Sequence, residues 1–255
     1  MDTSITRRPI PSLVFACALV LMASRSAADD GEDEFRAGAN LCSKGDFAGA
    51  LVKWRAAADK GNAQAMYNIG VLFDGGHGVK QDYLKAMRWW ERAADKGDAT
   101  AMYSIGLLHH DGHGVKQDYV EAMRWWQKAA DKGIARAMYN IGVLFDDGHG
   151  VKQDYSEAMR WYRKAADKGA AIAMFNIGII YENGRGVEQD YVEAMRWYRK
   201  AADKGAAIAM FNIGHIYENG RGVKRDYAEA ISWYRKAAAK GDAGAKAALQ
   251  RLQEK

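Results

Sequence analysis

Apolar positions follow two alternating helical patterns along most of the chain. Met66, Ile69, Gly70 and Phe73 fall at helical spacing and predict a first helix. Tyr83, Ala86, Met87, Trp90, Ala93 and Ala94 stand at offsets 0, 3, 4, 7, 10 and 11, one broad stripe of a second helix. Gly75, Gly76 and Gly78 break the chain between them, and Asp82 marks the second helix start. The pattern then repeats. Ala65-Met66-Tyr67-Asn68-Ile69-Gly70 returns at Ala101, Ala137, Ala173 and Ala209, and the Asp82 block returns at Asp118, Asp154, Asp190 and Asp226, 36 residues apart each time.

Five full repeats therefore run over residues 65–244. A shorter unit precedes them in residues 29–64, where Gly38, Asp46, Ala50 and Trp54 match Gly70, Asp82, Ala86 and Trp90. Residues 245–255 form a polar half repeat, which suits a capping helix. In four repeats the Asp is followed three residues later by Glu, as in Asp118 with Glu121, a capping-box pattern in which both side chains satisfy free backbone amides. Gly97, Gly133, Gly169, Gly205 and Gly241 fit the left-handed position that ends a helix. One such hairpin cannot bury its apolar face alone, whereas stacked neighbours can. The expected architecture is all-α, a right-handed α-solenoid of stacked helix hairpins.

The signature Ile141-Gly142, Gly148-x-Gly150-Val151, Gln153-Asp154-Tyr155, Ala158, Trp161-Tyr162 and Lys164-Ala165-Ala166-x-x-Gly169 resembles the Sel1-like repeat family, relatives of the tetratricopeptide repeat. The resemblance covers about residues 35–255 and implies an adaptor that holds other proteins together. In the related tetratricopeptide fold a second stripe of the first helix lines the concave face. Carried over, the floor is Tyr67, Tyr103, Tyr139, Phe175 and Phe211. Beside it run Val71, Leu107, Val143, Ile179 and His215. An acidic edge is formed by Asp74, Asp146, Glu182 and Glu218, with His110 as the exception. Aromatic residues beside exposed carboxylates suit a basic amphipathic segment of a partner protein. The competing reading packs the aromatics between neighbouring helices.

Other ladders have plainer readings. Trp89, Trp125, Trp161, Trp197 and Trp233 could stack on sugar rings or pack against the core. His77, His113 and His149 occupy one loop position, followed there by Arg185 and Arg221. Stacked helices lie about 10 Å apart, too far for those histidines to share one metal ion. His109, His110 and His113 leave only a weak local site, and no metal or other cofactor is expected. No Ser-x-x-Lys or Gly-x-Ser-x-Gly pattern and no phosphate-binding loop is present.

Composition adds the compartment. Hydrophobic residues make up 49% of the 255, ample for a core. Net charge is +5, with both signs interleaved, which argues against a nucleic-acid partner. Arg7 and Arg8, an apolar run over residues 13–23 and small Ser26-Ala27-Ala28 read as a signal peptide over residues 1–28, cut after Ala28. The run is too short to span a bilayer, so a periplasmic or secreted protein with no stable membrane span is expected. Cys42, the single cysteine of the mature chain, rules out an internal disulfide and aligns with the acidic edge, where it would be an accessible thiol. The function expected is an exported adaptor or scaffold, not an enzyme, binding a protein or peptide partner. The alternatives are a peptidoglycan- or glycan-binding module and an envelope hydrolase of the β-lactamase type.

Overall fold

The computed structural model describes residues 30–253, so the expected signal peptide lies outside the described residues. The chain divides into two compact units, residues 1–134 and 135–255. The first holds α1 (Glu32–Ser43), α2 (Phe47–Asp59), α3 (Ala63–Gly75), α4 (Tyr83–Asp95), α5 (Ala99–Asp111) and α6 (Tyr119–Asp131). The second holds α7 (Ala135–Asp147), α8 (Tyr155–Asp167), α9 (Ala171–Asn183), α10 (Tyr191–Asp203), α11 (Ala207–Asn219), α12 (Tyr227–Ala239) and α13 (Ala243–Gln253). Among the described residues all regular structure is helical. Within each unit successive helices pack as hairpins and each hairpin packs on the next, the α-solenoid architecture; α13 closes against α12.

One contact organises every hairpin. A large aromatic of the second helix lies across a glycine of the first. In the first unit Trp54, Trp90 and Trp126 cover Gly38, Gly70 and Gly106, and each indole N–H donates to a first-helix carbonyl, of Phe35, Tyr67 and Tyr103. In the second unit Tyr162, Tyr198 and Tyr234 cover Gly142, Gly178 and Gly214. All six aromatics are at most 1% exposed. A Cβ at Gly142 would stand 2.6 Å from the Tyr162 ring, so the approach requires a residue without a side chain. Full burial of such a ring contributes about 1.5–3 kcal/mol.

The capping expectation holds for one of its two halves. Asp82, Asp118, Asp154, Asp190 and Asp226 each accept from backbone amides in the first turn of the helix that they begin. Those bonds hold the Asp82 and Asp118 carboxyls below their usual range. The reciprocal bond from Glu is absent, because the amides of Asp118, Asp154, Asp190 and Asp226 already donate to first-helix carbonyls of His109, Phe145, Tyr181 and Tyr217. The glutamates turn outward instead: Glu121, Glu157 and Glu193 pair with Arg124, Arg160 and Arg196 three residues on.

Candidate functional site

The floor residues Tyr67 and Tyr103 in the first unit, and Tyr139, Phe175 and Phe211 in the second, are all half-buried. Each packs one side on the core aromatic of its hairpin, as Tyr139 on Tyr162 at 5.7 Å and Phe175 on Tyr198 at 5.6 Å between ring centroids. Burial pushes the Tyr67 hydroxyl up to about 12, against a hydrogen bond to Ser104 that acts the other way. Each ring therefore packs against the core by one side, as the competing reading expects, and keeps part of its surface in solvent. The neighbouring aliphatic row is less available than expected: Val71 and Val143 are core residues, while Leu107, Ile179 and His215 are half-buried. A row that the sequence reading passed over is more exposed. Ile172 and Ile208 stand one turn before Phe175 and Phe211 and are 46% and 47% exposed, whereas the same position carries Gln64 and Thr100 in the first unit.

The acidic edge requires a correction. Asp146 and Glu218 are buried, and Asp74 and Glu182 are half-buried, so these carboxylates are not an open rim. In the second unit they serve the core tyrosines. Tyr162 donates to Asp146 at 3.1 Å, Tyr198 donates to Glu182, and Tyr234 donates to Glu218 at 2.7 Å. A cation then arrives from a later part of the chain: Arg185 to Asp146 at 3.7 Å, Arg221 to Glu182 at 3.6 Å and Arg251 to Glu218 at 2.6 Å. Burial and the adjacent carboxylates raise all three tyrosine pKa values. The carboxylates themselves diverge. Burial raises Asp146, which Arg185 is too distant to offset, while the Arg251 hydrogen bond lowers Glu218.

Cys42 is also corrected, since it is buried in α1 and is no accessible thiol. The loop ladder proves structural. His77 lies tilted against Phe47 at 5.4 Å and His113 stacks on Tyr83 at 4.8 Å; Arg185 and Arg221 lie over Tyr155 and Tyr191 at the same place. The loop is held there by its second glycine. Gly78 has φ 68° and leaves room for Phe47 where a Cβ would stand 2.6 Å from it. Gln81 and Gln117, then Gln153 and Gln189, donate to the carbonyls of Asp74, His110, Asp146 and Glu182, a role that the sequence motif marked without explaining. Each indole of the tryptophan ladder is covered on one face by a cation three residues on, at 3.8 to 4.2 Å from Arg92, Lys128, Lys164, Lys200 or Lys236. That face is not free for a sugar ring.

Among the described residues no group of three His, Cys, Asp or Glu side chains could hold a metal ion, and no helix is long and apolar enough to cross a membrane. The Sel1 repeat family model matches residues 63–98, 99–134, 135–169, 171–205 and 207–242. The fold is similar to c5321, a protective antigen of uropathogenic Escherichia coli, with 31% identity and a TM-score of 0.80 over 88% of this chain and 49% of that one. This chain thus spans about half the length of c5321. A Sel1 repeat protein from Oxalobacter formigenes is similar at 36% identity and a TM-score of 0.75, over 83% of this chain and 86% of that one. No curated protein matches the chain.

Proposed function

The chain belongs to the Sel1 repeat family, and from that premise we propose that it is an exported scaffold whose first helices hold a protein partner. Sel1 repeats are typically protein–protein interaction modules, and the coarse class follows from the family. The single observation that supports the location is the apolar step formed by Ile172 with Phe175 and Ile208 with Phe211. Side chains of that kind remain in water at a cost unless something covers them. The fold does not demand them, because Gln64 and Thr100 serve at the same place. The partner surface is thus Phe175 and Phe211 of the second unit with their isoleucines, and the carboxylates of that unit support it by fixing the hairpins.

In-cell cross-linking with mass spectrometry tests the assignment. Ile172→Glu with Ile208→Glu should remove the principal cross-linked protein while leaving the circular dichroism and melting temperature unchanged, since both positions are exposed. Persistence of that protein at wild-type yield would place the binding surface elsewhere. Export rests on residues 7–28 alone. Mass measurement of the mature chain, produced in a bacterial host, should find Asp29 at its start; an intact Met1 start in the cell extract would remove the export reading.

A further inference from the structure

The second helices of the second unit carry cations that no carboxylate pairs with among the described residues. Arg163 and Lys164 on α8, Arg199 and Lys200 on α10, and Arg235 and Lys236 on α12 are all exposed. None of the six makes an ion pair with a carboxylate among the described residues. Neutral aromatic groups position five of them instead. Lys164, Lys200 and Lys236 lie over Trp161, Trp197 and Trp233 at 3.9, 3.8 and 4.0 Å from the ring centroids. Arg163 and Arg199 donate to the hydroxyls of Tyr181 and Tyr217 at 3.0 and 2.9 Å. An indole face and a phenol hold a cation in place without cancelling its charge.

The arrangement is specific to this half of the chain. Where the second unit has Arg163, Arg199 and Arg235, the full repeats of the first have Glu91 and Gln127 beside Arg92 and Lys128, and its short repeat has Arg55 followed by Ala56. The repeat folds with either, so the doubled charge is not a requirement of packing. By contrast, Arg160 and Arg196 one turn earlier are neutralised by Glu157 and Glu193.

We propose that these faces of α8, α10 and α12 form a second docking surface, distinct from the isoleucine-bearing first helices, for an acidic polypeptide segment. Carboxylates suit the rungs because guanidinium and ammonium groups both donate charge-assisted hydrogen bonds to them. The rungs recur once per hairpin, on three successive second helices of one unit. A segment that carries several Glu or Asp residues can therefore meet more than one Arg–Lys pair at once.

The test is fluorescence anisotropy of a labelled Glu-Ser-Gly repeat peptide titrated with the full chain. Binding is expected near 20 mM salt and should weaken at least about tenfold near 300 mM, as exposed charges are screened. Replacing all six cations with Gln should weaken binding about tenfold or more, whereas Arg92→Gln with Lys128→Gln should change it less than about twofold. Should the six-residue variant lose its helical circular dichroism, the triple Arg163→Gln, Arg199→Gln, Arg235→Gln replaces it and must itself weaken binding about threefold. Equal affinity of the folded variant and the parent would overturn the proposal. So would absence of peptide binding, or capture of phosphatidylglycerol vesicles in its stead, which would make the surface a membrane contact.

Discussion

The carboxylates behind the first helices show how little a residue's type says about its role until its neighbours are placed. Asp146 and Glu218 occupy the same repeat position and both accept from a core tyrosine, yet their environments push them in opposite directions. Glu218 is lowered below its unfolded value by Arg251, so it contributes stability above pH 4.5 that is lost as pH falls through the lower folded value. Glu218→Gln should therefore cost about 1 kcal/mol at neutral pH, a modest figure because Arg251 is half exposed, and should flatten the acid limb of a stability profile. Asp146 is raised, which means that its ionised form opposes folding at neutral pH. Asp146→Asn keeps an acceptor for Tyr162 and should leave stability unchanged or higher by under about 1 kcal/mol. Urea unfolding at pH 7 and pH 4 checks both, and a loss in Asp146→Asn equal to that in Glu218→Gln would contradict the contrast.

At the scale of the helix the differences between repeats lie at the termini. Asn62, Asp98 and Asp242 cap the helices that follow them through a side-chain oxygen, but α9 and α11 begin after Ala170 and Ala206, which offer none. Ala206→Asp should stabilise the chain by about 1 kcal/mol, seen as a higher melting temperature, because the extended backbone at Ala206 already matches that of Asp98. The helices themselves were legible in the sequence: apolar spacing, glycine breaks and the leading Asp gave the hairpins, and the six core aromatics lie within the predicted stripe. What spacing did not reveal was the partner of each polar group. Charged residues are mostly exposed, so Asp146 and Glu218 were expected on a rim. The signal that corrects this is a joint change. Trp90 and Trp126 give way to Tyr162, Tyr198 and Tyr234, and one repeat later the loop histidines give way to Arg185 and Arg221. An indole N–H satisfied by backbone needs no carboxylate, whereas a buried phenol needs an acceptor, and that acceptor needs a cation.

For the whole molecule the consequence is a chain whose two units share a plan but differ in chemistry. The first is held by indoles and by loop histidines seated on aromatic rings, the second by phenol–carboxylate–arginine sets, with its unneutralised cations outside and its isoleucines on the first helices. The last set is completed by Arg251 of α13, which takes the place that Arg185 and Arg221 fill for the earlier repeats. A chain ending at Gly241 leaves Glu218 without that cation and uncovers α12 and Phe211, which packs near Gly244. It should melt several degrees lower, by an amount well beyond that of Glu218→Gln alone. Equal melting of the shortened and full chains would show that α13 is no cap.

The seating of each loop on an earlier helix has a directional outcome. Gly78 and His77 rest on Phe47, His113 rests on Tyr83, and Arg221 rests on Tyr191, always toward the amino terminus. A nascent or translocating polypeptide that emerges amino end first thus presents a finished seat before the residue that will occupy it arrives. Assembly can advance rung by rung behind the moving chain, and in the second unit each carboxylate is completed when a later cation arrives.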